Sequence, residues 1–580
     1  MGIDSSWPRL APAIVGLALA ASIAGCSDDN DDIDLGSNLR VGVATVPITP
    51  CGQNPAWDGP ITATGVWGEP YEDANGNGRY DVGEPYEDDP RNDALDPQSK
   101  GKYDGIYMAG FGGDRVALGC HDDLWARAIV LDDGKTKVSF AVIDVVGALK
   151  HGTYSGFARS EAMLDPALGL AHRIFASTHN HEGPDTLGLW GVDTVVDGKF
   201  PLYMTFVDRQ VARAITEAAM NLVPVGDVTA MRVSPAEDAE LLGLQVRTGC
   251  RPPFIFDEDL RALAFHDSSG AVIATVINWA THPESLESEN EMISSDFPGF
   301  LRDEVENELG GTAVYFSGDL GAVEIVGDTC VGGAPPRNPD GSNELDSRDD
   351  LGFARTETIG RTVGGAVVRG LSAGESIRVA SVDVRSAEYR VPASNQTFEL
   401  GRMLGVLDLD PAVYDPSLCP GAQGLCGPAE QYAVTFLDRA GAPRIEIATV
   451  PGEVFPELFL GVATHRRTDC PAADTGRPPE PSIRDAMRSP YKLVIGLSPD
   501  EIGYIVPGYD FYPANIFDEA SDPCVGQPYD PAFPRRRVPT HYHEVLSVGV
   551  EAASFVTCHA VELFGGESAT ADVAACQALP

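Results

Sequence analysis

Short runs of Val, Ile and Ala recur along the chain, each bounded by Gly, Pro, Asn or Asp, as buried strands are. They predict strands at 40–46, 126–132, 137–144, 172–177, 271–278, 312–316, 445–450 and 491–496. Apolar positions spaced by three and four predict helices at 201–222, 296–309, 350–371 and 453–466. Strands alternating with helices predict an α/β fold: a mixed sheet core flanked by helices, with functional side chains at strand ends. The segment 377–440 begins β-rich and then turns to Pro, Gly and Cys, which reads as a small β-rich lobe over the site. Pro-rich stretches at 331–348, 470–482 and 505–540 read as lids or disulfide-tied surface.

Three of the apolar runs end in side chains that bind metals. Arg173-Ile174-Phe175-Ala176-Ser177 leads into Thr178-His179-Asn180-His181-Glu182-Gly183-Pro184. The run from Val272 ends at Trp279-Ala280-Thr281-His282-Pro283, and Ile445-Glu446-Ile447-Ala448-Thr449-Val450 ends at Pro451-Gly452-Glu453. Two His two residues apart point to opposite faces of a continuing strand; where the backbone bends before Gly-Pro, both can reach one site. Imidazoles and a carboxylate from several strand ends suit zinc, whose catalytic sites keep a position open for water. His181, Glu182 and Glu324 are candidates to manage protons there. Any one of these His, taken alone, reads as a hydrogen-bonded strand-end residue without metal; the ordered set reads as a metal site. Asp144, at the end of Ser139–Ile143, suits a carboxylate that orients a ligating imidazole. His121 with Asp122 either lines the pocket or caps a turn, Trp190 either walls an acyl-chain site or packs in the core, and Arg232 is a candidate for binding a substrate oxygen.

The same residues carry a family resemblance. Thr178–Pro184 resembles the Thr-His-Thr-His-Ser-Gly-Pro signature of neutral, non-lysosomal ceramidases. Trp279–Pro283, Val450–Glu453 and Leu497-Ser498-Pro499-Asp500-Glu501-Ile502-Gly503-Tyr504-Ile505-Val506 follow in the family's order across most of the chain. The resemblance implies a catalytic zinc held by His179, His282, Glu453 and Tyr504, with Glu501 as the alternative to Tyr504, and His181 contacting substrate or orienting water. It also marks a departure. Where the family keeps Gly-Asp-Val-Ser-Pro-Asn, with a Ser essential to amide cleavage, this chain reads Gly318-Asp319-Leu320-Gly321-Ala322-Val323-Glu324. The Ser position falls on Gly321 or Glu324, and Ser317 lies too early to inherit it. The expected function is therefore zinc-dependent hydrolysis of an amide, in an N-acyl lipid such as ceramide or a related compound. The alternative is a catalytically degenerate lipid- or glycan-binding lipoprotein with structural metals. The chain ends 76 residues after Tyr504, too short for the immunoglobulin-like domain of typical ceramidases.

Residues 11–24 form an Ala-rich apolar run, too short to span a bilayer, that ends in Ile23-Ala24-Gly25-Cys26. This small-residue pattern predicts a lipoprotein signal over 1–26, lipidation of Cys26, an acidic tether over 27–38 and a catalytic domain over 39–580. The protein is thus expected to be exported and lipid-anchored to a bacterial membrane. Ten further Cys suit up to five disulfides in an oxidising compartment, Cys419 with Cys426 and Cys558 with Cys576 being nearest in sequence. A formal charge of −45, with no basic cluster larger than Arg535–Arg537, excludes nucleic acid as a partner. Within an insertion at 68–107, Asp73, Asn75, Asn77, Arg79, Asp81 and Glu84 stand at positions one, three, five, seven, nine and twelve of a calcium loop, with Gly78 at position six as the usual loop has it.

Overall fold

The computed structural model describes residues 38–193, 196–244, 246–249, 251, 254–325, 350–407, 409–410, 412–419, 425–462, 470, 473–512, 542–565 and 574–577. Cys26 and its tether lie outside the described residues. The described chain falls within one compact unit, Ser37–Pro580.

Three large sheets, with three two-stranded ladders beside them, are found among the described residues of that unit. The first contains β1 (Arg40–Pro47), β2 (Trp125–Asp132), β3 (Lys137–Ile143) and β4 (His172–Ser177), with the short strand Val223–Pro224 on its edge. Helix α1 (Pro201–Met220) follows. The second sheet is built from β5 (Asp227–Val233), β6 (Leu260–His266), β7 (Val272–Trp279) and, after helix α2 (Asp296–Leu309), β8 (Thr312–Ser317). Helix α3 (Asp350–Ser372) leads to an edge strand of this sheet, Glu375–Ile377. The third sheet has the order β9 (Ser381–Ala393), β10 (Leu425–Leu437), β11 (Pro443–Thr449) and β12 (Tyr491–Ile495), and α4 (Ala552–Gly565) comes near the end.

Side chains alternate across these strands, so each sheet has two buried faces with different partners. On β2, Ile129 and Leu131 join Phe140, Phe265, Val276, Phe316, Phe436, Ile447 and Leu493 in one core shared by all three sheets. Ala126, Ala128 and Val130, on the other face of β2, pack under Phe206, Val211 and Ile215 of α1. Helices α2 and α3 cover the second sheet with Leu301, Val305, Val363 and Val367, and α4 covers the third with Phe555 and Val556. This double burial is why the strands read as nearly continuous apolar runs.

Each sheet pairs most of its strands antiparallel but contains one parallel pair: β3 with β4, β7 with β8, and β11 with β12. Polar bonds tie the ends of these pairs together across sheets. The Asn278 side-chain amide donates to the carbonyls of Phe316 (3.0 Å) and Val494 (2.8 Å). The Ser317 hydroxyl donates to Thr178 O (2.7 Å) and the Ser498 hydroxyl to Phe175 O (2.6 Å).

The expected strands and the first three helices match closely. The expected helix over 453–466 is corrected: Glu453–Val454 is a short strand, and the helix covers only Pro456–Leu460 before Gly461 (φ +79) ends it. Proline fixes the helix start, and the left-handed glycine stops it after one turn. The β-rich segment 377–440 is continuous with the third sheet. Cys419–Cys426 and Cys558–Cys576 are disulfides as expected, and Cys51–Cys120 is a third among the described residues. No described helix is long and apolar enough to cross a membrane.

Candidate metal centre and active site

The C-terminal ends of the six parallel-paired strands of the three large sheets converge on one place. Beyond β4 come His179 and His181; beyond β7, His282 and Glu284; beyond β11, Glu453; beyond β12, Glu501 and Tyr504. Strands β3 and β8 contribute the segments carrying Val146, Val323 and Glu324. In open α/β sheets this is the edge where ligands bind.

His179 takes φ +66, a left-handed conformation that costs a non-glycine residue about 1–3 kcal/mol. It is this bend that brings the two His of Thr178–Pro184 to one site, with ring centroids 4.9 Å apart. His179 Nδ1 lies 2.6 Å from Val146 O, and His282 Nδ1 lies 2.9 Å from Val323 O. A carbonyl oxygen only accepts, so each Nδ1 carries a proton and each Nε2 is turned inward. Those Nε2 atoms stand 3.3 Å and 3.1 Å from Glu453 Oε2. Two donors bound at about 2.1 Å to one tetrahedral ion stand roughly 3.4 Å apart, so the spacing fits a zinc-sized cation. Ligand atoms of His179, His181 and His282 all lie within 4.8 Å of one another, and the three residues are buried.

Glu453 is placed by pairing in register with Tyr504, in a two-residue parallel ladder. The register favours Tyr504 over Glu501 as the side chain facing Glu453. Glu501 also borders the site, but its Oε1 accepts from Gly503 N (2.8 Å). Burial would raise the Glu453 pKa; the ion pairs with His179 and His282 outweigh it and hold the carboxylate well below its usual range. At His282 burial is outweighed by Glu324 and Glu453, and the imidazolium is pushed up to about 9. Burial, reinforced by repulsion from His179 and His282, drives the His181 pKa well below its ordinary value and keeps that ring neutral. Neutral imidazole is the ligating form. Burial and then Glu453 keep the Tyr504 phenol protonated over the ordinary pH range.

The site opens into a cavity of about 390 Å³ with strongly apolar walls. Val146, Leu149, Leu187, Trp190, Phe398, Leu404 and Leu407 line it, together with His179, His181, Glu453, Tyr504 and Tyr542. Its size is that of a small-ligand pocket. Trp190 is thus a cavity wall.

Several sequence candidates lie elsewhere. The Glu182 carboxylate pairs with Arg115 (2.5 Å) and accepts from Asn290 (2.7 Å), so it braces the histidine loop. Asp144 accepts two bonds from Arg302, 2.7 and 2.8 Å, leaving backbone carbonyls to orient the imidazoles. Asp122 accepts from the Ser294 and Ser295 hydroxyls, His121 stacks on Phe353 (3.7 Å), and Arg232 forms an exposed pair with Asp259. Glu324 does reach the site: Oε2 lies 3.6 Å from His282 Nδ1. At Gly321 an added Cβ would stand 2.6 Å from Glu453 O and 2.7 Å from Phe455 Cδ2, leaving no room for a serine. The sequence reading missed Glu284, two places after His282, and Tyr542, which emerges from a Pro-rich stretch. The pattern His282-Pro283-Glu284 was the available signal for the first.

In the insertion, Asp73 accepts from the amides of Gly76 (2.7 Å), Asn77 (3.1 Å) and Gly78 (2.9 Å). Glu84 accepts from Ala74 and Asp81, and the Asn75 and Asn77 amides both reach Asp81 Oδ2 at 2.7 Å. Five of the six side chains of the expected calcium loop are therefore tied by hydrogen bonds within the loop. The Arg79 side chain turns away to Asp114 (2.7 Å), leaving only its carbonyl for position seven.

A three-sheet α/β protein with a His, His, Glu centre at its strand ends is the class this fold and site define. No family-level sequence profile matches the chain. It is 24% identical over 273 residues to the neutral ceramidase of Mycobacterium tuberculosis, a match covering 44% of this chain and 41% of that protein. The chain thus spans about two fifths of the length of that curated relative. The crystal structure of neutral ceramidase from Pseudomonas aeruginosa superposes with a TM-score of 0.55 at 14% identity, over 91% of this chain and 74% of that one. A ceramidase complexed with C2 gives 0.53 at 12%, over 91% and 75%. The chain shares the fold of these neutral ceramidases.

Proposed function

We propose that the protein is a zinc-dependent hydrolase that cleaves the amide bond of an N-acyl lipid, of which ceramide is one example. The observation that carries this reading is the pair of inward Nε2 atoms at 3.3 and 3.1 Å from one Glu453 oxygen, beside an apolar cavity. His179, His282, Glu453 and Tyr504 would hold the metal. When bound, zinc supplies Lewis acidity toward a carbonyl oxygen and makes water acidic near neutral pH. The chain's own part is positional. Val146 O and Val323 O fix the two imidazoles, and the apolar walls take the acyl chain and exclude bulk water. We assign His181 and Glu324 to orienting water and carrying its proton.

The same reading assigns calcium to the loop from Asp73 to Glu84 as a surface clamp, and export with a lipid anchor at Cys26. The test is metal analysis of the purified protein beside hydrolysis of N-acyl sphingoid bases, N-acyl amino acids and simple esters. Bound zinc with amide turnover supports the proposal. Bound zinc with retained lipid and no turnover on any of them would instead establish the degenerate binder, a reading favoured by the residues at Gly321 and Glu324.

A further inference from the structure

Next to the His179, His282 and Glu453 cluster lies a second set of donors. His181 is 5% exposed, and neither of its ring nitrogens has a hydrogen-bond partner. Its Nδ1 nevertheless faces Glu284 Oε2 at 3.3 Å. Glu284 shares a side-chain hydrogen bond with Glu324, and both are buried, at 6% and 9% exposure. A buried polar ring without a partner is uncommon in a native interior. Two buried carboxyl groups in contact need either a shared proton or a cation. An imidazole nitrogen and two carboxylates from three strand ends are also a complete set of protein ligands for a catalytic divalent ion.

From this geometry we infer that the centre is dinuclear: His181, Glu284 and Glu324 hold a second divalent cation beside the one held by His179, His282 and Glu453. This rests on the metal-hydrolase reading and deepens it. His181 and Glu324 act on water through that cation, and Glu284, outside the zinc set, becomes a ligand. Paired metal sites commonly stand about 3.5–4 Å apart and clamp both sides of a displacement. His181 borders both sets, its ligand atom lying within 4.8 Å of those of His179 and His282.

The test is metal stoichiometry. The full chain is loaded with zinc, desalted, and its metal content measured by mass spectrometry against protein concentration. The wild type should hold two equivalents, while Glu284→Gln and Glu324→Gln hold one and keep the wild-type circular dichroism spectrum. As a second readout, manganese-loaded wild type should give the electron paramagnetic resonance signature of a coupled pair, and Glu284→Gln that of an isolated ion. If a variant misfolds, the wild-type count and spectrum still decide. One equivalent in the wild type, lost in His282→Ala, overturns the dinuclear proposal and leaves the hydrolase reading intact. No bound metal overturns both.

Discussion

Placing a serine at Gly321, one of the two positions to which the resemblance assigns it, should damage this protein. The backbone at Gly321 lies against the turn that presents Glu453: Gly321 N donates to Val454 O (3.0 Å), and a Cβ would stand 2.6 Å from Glu453 O. Ordinary contact begins at 3.4 Å, so in Gly321→Ser the two segments must part by 3.4 − 2.6 = 0.8 Å. Overpacking of that kind costs about 1–3 kcal/mol. It acts on the residue that carries a metal ligand, and functional groups must be held within about 0.5 Å to work. We expect Gly321→Ser to lower the urea midpoint by that free energy at an unchanged m-value, to hold zinc more weakly, and to lose about 10²-fold or more in turnover. Gly321→Ala carries the same Cβ without the hydroxyl and should behave alike. Urea unfolding followed by circular dichroism, with zinc competition against a chelator, measures both effects. A Gly321→Ser protein of wild-type stability with raised amide turnover would refute the reasoning, and would show that the site accommodates the serine after all.

Four other outcomes are expected. The raised pKa of His282 stabilises the metal-free fold fully below its ordinary value of 6.5, and that contribution is lost as pH rises through about 9. Chelator-treated protein should therefore melt lower at pH 9 than at pH 6.5, by an amount on the order of 3 kcal/mol in stability, whereas zinc, having displaced the proton, should flatten the profile; a flat metal-free profile in calorimetry would remove the claim. Ser317→Ala deletes a hydrogen bond to Thr178 O worth about 1 kcal/mol but should keep turnover near wild type, whereas Glu324→Gln should cost on the order of 10²-fold; the opposite ranking would point to serine chemistry. Asp73→Ala or Glu84→Ala should abolish any rise in melting temperature with added calcium, and absence of that rise in the wild type would leave the loop a turn. Cys26→Ser should move the protein from the membrane to the soluble fraction, and unchanged fractionation would rule out the anchor.

What the sequence revealed was set by how local its signals were. Strands such as β2 and β4 are apolar on both faces and announce themselves, and the ligands immediately follow them. Strand β6 was missed because Leu260-Arg261-Ala262-Leu263-Ala264 has no β-branched residue, and its strand state comes from lying between β5 and β7. Strand β9 was not delimited because Asp383, Arg385, Glu388 and Arg390 leave it largely polar. His179, His282 and Glu453 were legible because motif and strand end coincide. The roles of Asp144 and Glu182 were not, because Arg302 and Arg115 reach them from 158 and 67 residues away. Tyr542 joins the site through tertiary packing alone.

The spacing of the ligands along the chain has a consequence for assembly. His179, His282 and Glu453 come from three different sheets, with 171 residues between the last two. If these residues hold the proposed ion, none of the three sheets alone could bind it well, so its capture would await docking of all of them and metal uptake would be a late event in maturation. The proposed ion would then act as a bolt through the whole unit. Its removal should relax the three sheets together, leaving a protein whose lifetime depends on the supply of metal around it.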